Sequence, residues 1–346
     1  MRSSASDRAR VGDWAGFARL FLHVALGLFA GFLALAYLID PYDSGRSTLF
    51  SVGAVRPQGP RTAAASRGRD PAFTGAIFGN SRIQLIEPTR LSAATNIPFV
   101  QLSVTATRPA EQLALMGWFL RHHPKPEALV LGIDDFWCVG DPALPNDKPF
   151  PFWLYSPDIL SYLRGLLRWP VAQEVVGRIG WLRSRNRKVA RADGFWDYEP
   201  EYIRLGERDA AFLTRVRETP VPDDPDPATS GPGFPAADRL AAFLAALPAE
   251  VPVVMVFPPV YVAGTGRAGT ERAKAENACR AAMIGALARH PLGRVVDARR
   301  DRPASHDPTL FFDHTHYRHN LARPLADEIA ATLNGLLERR DRPSAP

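Results

Sequence analysis

The chain has 346 residues, of which 46% are hydrophobic and 23% are charged, and its formal net charge is +6. This apolar content excludes a disordered chain, and two cysteines cannot build a disulfide scaffold or a four-cysteine zinc site. The excess of positive charge is small for a chain of this length, which argues against a nucleic-acid partner. The length suits one large domain or two small ones.

The N-terminal part of the chain contains one long apolar segment, residues 20–39, in which only His23 titrates near neutral pH. A helix over this segment is about 30 Å long, which matches the hydrocarbon core of a bilayer. Asp40 and Asp43 follow the segment, and four arginines precede it: Arg2, Arg8, Arg10 and Arg19. The charge asymmetry predicts a single-pass anchor with residues 1–19 in the cytoplasm. A cleaved signal peptide and a buried helix are the alternatives, although the run exceeds the roughly 7–15 residues of a signal-peptide core.

The rest of the chain alternates short apolar runs with helical patterns. Residues 40–70 have no periodicity and are predicted to be a tether, residues 71–338 a domain and residues 339–346 a tail. The predicted strands are 75–78, 98–104, 128–133, 251–257 and 294–297. The predicted helices are 108–122 with Thr107 as N-cap, 267–290 and 321–337. Continuous apolar strands separated by helices indicate an α/β fold, a three-layer sandwich with a mainly parallel sheet. Ligands bind at the carboxyl ends of such strands.

Residues 136–235 interrupt this alternation and are predicted to be an insertion in the domain. The insertion is rich in aromatic residues and in arginine, and it ends in a proline-rich connector, 219–235. A helical subdomain with a solvated arginine face explains this composition. Contact with an anionic glycan, a phospholipid surface or a membrane partner is the alternative.

The two cysteines, Cys138 and Cys279, would lie in an oxidising compartment if the chain crosses the membrane as predicted. Nothing in their spacing shows that they are close in the fold. A disulfide and two unpaired thiols therefore both remain open.

A candidate nucleophile follows the first predicted strand of the domain, in the sequence Gly79-Asn80-Ser81-Arg82. A serine just past the carboxyl end of a strand has its hydroxyl at the sheet edge, where backbone N–H groups can face an oxyanion. Gly79 permits a tight turn, and Asn80 tolerates unusual dihedral angles. An ordinary turn built from good turn residues is the alternative.

A candidate base lies before the last predicted helix, in the sequence Asp313-His314-Thr315-His316. A serine nucleophile needs a base, and the base needs a partner on its other ring nitrogen to fix its tautomer. Asp313, three residues before His316, can supply that partner locally. The two motifs in this order, each beside the expected element, point to nucleophilic serine chemistry.

A competing interpretation of the same region is a metal site, because six potential ligands lie within fourteen residues. They are His306, Asp307, Asp313, His314, His316 and His319. No helical ligand spacing and no nearby cysteine accompanies them, so we expect no metal here.

Residues 73–135 and 250–338, which contain these two motifs, resemble the SGNH (GDSL-like) hydrolase and acyltransferase superfamily. Residues 79–82 match the nucleophile block of that family, with Asn80 where many relatives carry Asp, and residues 313–316 match its terminal block. The resemblance implies a flavodoxin-like sheet, Ser81 as nucleophile, His316 as base and Asp313 as the carboxylate that orients it.

This chain departs from the pattern of the family in two further blocks. Ala106 stands where the second block has a glycine, and its backbone N–H would face the oxyanion. Asp134 stands where the third block has an asparagine, and a carboxylate cannot donate to an oxyanion unless it is protonated. Asp134 and Asp135 could orient a substrate hydroxyl or cap a helix. Arg82 could bind a carboxylate or phosphate, or pair with one of these acids.

Within the family, the chain resembles members that are anchored in the bacterial inner membrane and act in the periplasm on envelope polymers. The resemblance implies an acyl-serine enzyme, an O-acetyltransferase or acetylesterase, with a polysaccharide or other acyl ester as substrate and no cofactor. For a transferase it also implies a multispan membrane partner that delivers acyl groups. A non-catalytic envelope protein that binds a polysaccharide or a membrane synthase is the alternative, and the Asp134 departure favours it.

Overall fold

The structure is a computed structural model that describes residues 5–141, 148–225 and 233–342, with side chains from residue 14. Arg2, the side chains of Arg8 and Arg10, and residues 343–346 of the predicted tail lie outside the described part. The first helix, α1, is Ala5–Ile39. Its stretch from Trp14 to Ile39 is long and apolar enough to cross a membrane.

The core of the domain is a parallel five-stranded sheet in the order β2-β1-β3-β4-β5. The strands are β1 Gly75–Phe78, β2 Phe99–Gln101, β3 Ala128–Gly132, β4 Val253–Phe257 and β5 Gly293–Asp297. All five were predicted from their apolar runs, and the α/β fold is confirmed. Strands β1 to β4 are buried along their whole length because helices cover both faces of the sheet.

Two hydrophobic layers lie on opposite faces of the sheet, since successive side chains of a strand point to opposite sides. The helices of the first layer are α4 Pro109–His122, α10 Pro235–Ala245 and α11 Glu271–Leu287. Those of the second layer are α3 Pro88–Thr95 and α12 His319–Asp341. The strand order is that of flavodoxin-like sheets, in which the chain reverses its direction of winding between β1 and β3.

The start of α4 differs by one residue from the prediction. Arg108, and not Thr107, is the N-cap, and Glu111 accepts a hydrogen bond from the Arg108 backbone N–H at 2.6 Å. Pro109 occupies the first turn and forces the residue before it into extended backbone, so Arg108 takes the cap position. The Thr107 hydroxyl instead donates to the Val104 carbonyl at 2.7 Å.

The described part of the insertion consists largely of helices, and its residues 142–147 and 226–232 lie outside the described part. Its helices are α5 Phe152–Tyr155, α6 Ile159–Leu166, α7 Trp169–Arg183, α8 Glu199–Arg208 and α9 Ala210–Glu218. Helices α6 and α7 pack on α1.

The segment predicted to be a tether is packed against the domain. It contains helix α2, Pro60–Arg67, whose Ala63, Ala64 and Ala65 are buried. The Trp118 indole N–H donates to the Ala65 carbonyl at 3.0 Å. Small side chains and backbone groups make these contacts, which explains why the segment shows no apolar periodicity in sequence.

The open question about the cysteines is resolved in favour of pairing. Cys138 and Cys279 form a disulfide with a Cα–Cα distance of 5.5 Å. The bond joins the turn after β3 to helix α11.

Candidate active site

The candidate residues meet at the carboxyl edge of the sheet, at the point where the strand order reverses. Ser81 follows β1, and Asp134 follows the adjacent strand β3. The turn with Asp313 and His316 precedes α12, and its His314 carbonyl accepts from the Tyr261 N–H at 2.8 Å. Tyr261 lies in the loop after β4, so this loop fixes the position of the histidine turn.

The turn after β1 requires its glycine. Gly79 has a φ of 147°, and a Cβ at this position would lie 2.7 Å from Ile83 Cγ2. Asn80 then caps a short 3₁₀ helix, Ser81–Ile83, because its side-chain oxygen accepts from the Arg82 N–H at 3.1 Å. The cap places Ser81 at the start of this helical turn, where backbone N–H groups have no acceptor within the helix.

Ser81, His316 and Asp313 form a continuous hydrogen-bonded chain. His316 Nε2 lies 3.0 Å from Ser81 Oγ, and His316 Nδ1 lies 2.7 Å from Asp313 Oδ2. The other carboxylate oxygen, Oδ1, accepts from the backbone N–H groups of Thr315 and His316, both at 2.8 Å. The three side chains predicted from sequence are therefore within hydrogen-bond reach in the order that base-activated serine chemistry needs.

The carboxylate of Asp313 is ionised at neutral pH. Burial raises its pKa, but the hydrogen bond and the charge of His316 and the two backbone N–H groups outweigh burial and bring the pKa well below its usual range. An ionised Asp313 accepts the proton on Nδ1 and leaves Nε2 free to accept from Ser81. This tautomer is the one in which His316 can act as a base.

Two tyrosines that the sequence did not predict enclose the His316 ring. Tyr202 lies in helix α8, and Tyr198 is the N-cap of that helix. The Tyr202 hydroxyl donates to Asp313 Oδ2 at 3.1 Å, and its ring lies 5.0 Å from that of His316. The Tyr198 ring packs edge-on against His316 at 5.3 Å, and its hydroxyl donates to the Tyr317 carbonyl at 2.9 Å. Burial, and then the charge of Asp313, raise the pKa of Tyr202, so its hydroxyl stays protonated. The only sequence signal for these residues is the aromatic content of the insertion.

Asn80 and Asp134 interact directly in the structure. The Asn80 amide donates to the Asp134 carboxylate, and the other oxygen of Asp134 accepts from the Phe136 N–H at 3.0 Å. Asp134 thus caps the short helix Asp135–Cys138, which is one of the two roles that the sequence predicted for it. The carboxylate acts as an acceptor here, so it does not replace the donor that the resemblance leads one to expect.

The remaining predicted residues occupy structural positions beside the site. Arg82 pairs with Asp135, and its Nε lies 3.8 Å from Asp134 Oδ2. Ala106 has a φ of 56°, the left-handed conformation that glycine adopts at little cost and that other residues adopt at about 1 kcal/mol or more. The backbone conformation that suits glycine is therefore kept at this position although the residue is alanine.

The histidine-rich segment divides into separate contacts. His306 pairs with Asp301 at 2.5 Å, and His319 pairs with Asp197 at 3.0 Å. Within the described ranges, no three His, Cys, Asp or Glu side chains converge as a metal would require.

No protein-family model matches the chain, and no curated protein matches it with significant similarity. The resemblance drawn from the motifs in residues 79–82 and 313–316 therefore stays a prediction from the sequence.

Proposed function

We propose that the protein is a serine acyl-transfer enzyme, an O-acetyltransferase or acetylesterase that acts on a polysaccharide outside the cytoplasm. The observation that carries the proposal is the chain Ser81–His316–Asp313, with its 3.0 Å and 2.7 Å contacts at the carboxyl edge of the sheet. A serine and a histidine at this separation, with an ionised carboxylate on the second ring nitrogen, match the geometry of an activated nucleophile.

The proposed reaction has two half-reactions. His316 Nε2 takes the hydroxyl proton as Ser81 Oγ attacks the acyl carbonyl carbon, and the leaving alcohol then receives that proton as the ester bond breaks. The resulting acyl-serine is attacked by a glycan hydroxyl or by water, with His316 again taking and returning the proton. The backbone N–H of Ser81, at the start of the helical turn Ser81–Ile83, would stabilise the oxyanion.

The proposed location is the periplasmic side of a bacterial inner membrane. The described part of α1 is long and apolar enough to span it once, and Arg19 on its N-terminal side favours a cytoplasmic N-terminus. A transferase in this position needs acyl groups from a membrane partner, and we propose a multispan acyltransferase as that partner.

A non-catalytic envelope protein that binds a polysaccharide or a membrane synthase is the second candidate function. The observation that favours it is the hydrogen bond from the Asn80 amide to Asp134, in which the carboxylate is the acceptor and so supplies no donor for an oxyanion.

A serine-reactive fluorophosphonate distinguishes the two candidates. We expect the full-length protein in detergent to be labelled at Ser81 and to release the chromophore of a chromogenic acetyl ester. Ser81→Ala should abolish both signals, whereas Ser51→Ala, at an exposed serine, should change neither. Absence of label and of turnover in the wild-type protein would support the non-catalytic candidate.

A further inference from the structure

A cavity of about 280 Å³ opens beside the proposed nucleophile and base. Arg82 and Thr315, the chain neighbours of Ser81 and His316, both line it. The disulfide cysteine Cys138 and the first half of α11 form another part of its wall. The cavity is therefore bordered by residues adjacent in the chain to Ser81 and His316, although these two residues do not line it. An acetyl group is much smaller than this volume, so the cavity has room for part of the alcohol side of the ester.

The lining of the cavity carries four arginines, Arg82, Arg108, Arg272 and Arg299, against two acids, Asp135 and Glu276. Arg82 is neutralised by its pairing with Asp135, while Glu276 accepts from the Gly266 N–H at 3.2 Å. In the part of the chain that the structure describes, Arg108, Arg272 and Arg299 form no ion pair with an acid. The cavity thus has an excess of positive charge.

Two neighbouring observations point to an anion as the missing partner. The Arg108 guanidinium lies 5.6 Å from the centre of the Phe136 ring, which holds its charge at the cavity wall. His314 also lines the cavity, and its buried Nε2 has no hydrogen-bond partner within the described residues. Guanidinium groups match the geometry of carboxylates and phosphates, and a buried polar nitrogen without a partner is costly unless a ligand satisfies it.

We propose that this cavity binds an anionic group, a carboxylate or phosphate, on the saccharide that receives or releases the acyl group. The proposal rests on the proposed function, because it names the substrate class of the same site. Arg108 and Arg299 are the specificity-determining residues. An anionic saccharide is held with its hydroxyl near Ser81, and a neutral saccharide lacks these contacts.

The test compares three small acceptors: glucuronate, glucose 6-phosphate and the neutral methyl glucoside. Binding to the full-length Ser81→Ala protein is measured by calorimetry. Acetyl transfer by the wild-type protein, from a chromogenic acetyl ester to each acceptor, is measured by mass spectrometry. We expect glucuronate or glucose 6-phosphate, but not methyl glucoside, to bind, and the anion preferred identifies its source as a uronate or a phosphate. Arg108→Gln and Arg299→Gln should each weaken that binding about tenfold or more, the loss of one charge-assisted contact.

The control is Arg323→Gln, since Arg323 is exposed on α12 and does not line the cavity. It should leave binding unchanged. Equal binding of charged and neutral saccharides, or anion binding that both cavity variants retain, would overturn the inference and leave the proposed function standing. Selective anion binding without any acyl transfer would support the cavity and count against the proposed function.

A second inference concerns how α1 meets the domain. From Trp14 to Gly31 the helix is exposed, but Ala36 and Ile39 are buried in the hydrophobic core. The Tyr37 ring packs on Tyr162 of α6 at 6.3 Å. Counted from Leu20, the first residue after the charged Arg19, the exposed helix up to Gly31 is about 18 Å long, and counted from Trp14 it is about 27 Å long. Both lengths are shorter than the hydrocarbon core, which is about 30 Å thick. The part of the domain packed on α1 therefore has to reach the level of the lipid.

The surface of α6 and α7 beside this contact has the composition of a membrane interface. Ile159 precedes Tyr162 by three residues, so it lies on the same helix face, and it is 44% exposed. Trp169 and Val176 are 75% and 70% exposed. Arg164 and Arg168 lie among them and are exposed, as cations at an anionic lipid surface would be.

We infer that α6 and the start of α7 lie in the headgroup region of the membrane, with Ile159 and Trp169 inserted among the lipids. The inference rests on the proposed membrane anchor. Apolar side chains with an arginine rim, continuous with a spanning helix, favour lipid over a protein partner as the occupant. Insertion by about 5–10 Å is typical of such interfacial helices.

The disulfide makes this inference accessible to site-directed labelling, because both cysteines of the chain are paired. Nitroxide labels are placed on Ile159→Cys, on the spanning control Leu26→Cys and on Ile203→Cys, an exposed position on α8. The full-length protein is reconstituted in nanodiscs of phosphatidylethanolamine and phosphatidylglycerol. We expect the label at 159 to collide more with oxygen than with a water-soluble nickel chelate, and the label at 203 to show the reverse.

The outcomes separate the inference from the anchor itself. A label at 26 in lipid together with a label at 159 in water would overturn the interfacial contact alone. A label at 26 in water would contradict the anchor. Protection of the label at 159 in native membranes but not in nanodiscs would assign the surface to a protein partner and overturn the inference.

Discussion

Replacement of Asp313 by Asn should lower kcat/KM for a chromogenic acetyl ester by about 10³- to 10⁴-fold. Oδ1 of Asp313 accepts two backbone N–H groups, whereas Oδ2 faces His316 Nδ1 and the Tyr202 hydroxyl. In Asp313→Asn the carbonyl oxygen keeps the backbone contacts, so the amide NH₂ faces His316 Nδ1. The histidine then carries its proton on Nε2 and cannot accept one from Ser81. Steady-state kinetics of the full-length protein measure the effect.

Tyr202→Phe is the matched control for this variant. It removes one donor from the same oxygen, Oδ2, but leaves the ionised carboxylate and the histidine tautomer unchanged. We expect a loss of no more than about tenfold, because Asp313 keeps its charge, its contact with His316 and its two backbone hydrogen bonds. An Asp313→Asn enzyme with more than a tenth of the wild-type activity would show that Asp313 does not set the state of His316.

Much of the fold follows from local sequence signals. The predicted strands that correspond to β1 to β4 are mainly apolar because the strands of a parallel sheet are buried on both faces. The order of the strands then explains where the site lies. Strands β1 and β3 are adjacent at the point where the direction of winding reverses, and ligands bind at such points. Ser81 could therefore be found from its place after β1, and His316 from a local Asp–His pair three residues apart. Both signals are short-range in sequence.

The parts that sequence did not predict depend on long-range contacts. Tyr202 reaches Asp313 across 111 positions, and no local pattern distinguishes it from the other aromatic residues of the insertion. The hydrogen bond between Asn80 and Asp134 spans 54 positions, so no local pattern indicates it. The packing of residues 40–70 uses alanine and backbone groups, which carry little hydrophobic periodicity.

The disulfide Cys138–Cys279 holds together two segments that both border the candidate site. Cys138 ends the short helix that Asp134 caps, and Asp135 of the same helix pairs with Arg82 beside Ser81. Cys279 is buried in α11, which packs on α10 and β5. The bond therefore ties the turn after β3, and with it the partners of Asn80 and Arg82, to the scaffold of the first hydrophobic layer.

Replacement of both cysteines by serine should lower the free energy of unfolding by about 3–5 kcal/mol. The bond closes a loop with a sequence separation of 141, and a cross-link over a loop of this length removes much conformational entropy from the unfolded chain. Urea unfolding of the full-length protein in detergent, followed by far-ultraviolet circular dichroism, measures the change, and the reduced wild-type protein should match the double variant. Because the turn after β3 loses its covalent link, activity toward the acetyl ester should also fall before the protein unfolds globally. A double variant that unfolds at the same urea concentration as the oxidised wild-type protein would show that packing alone holds this turn in place.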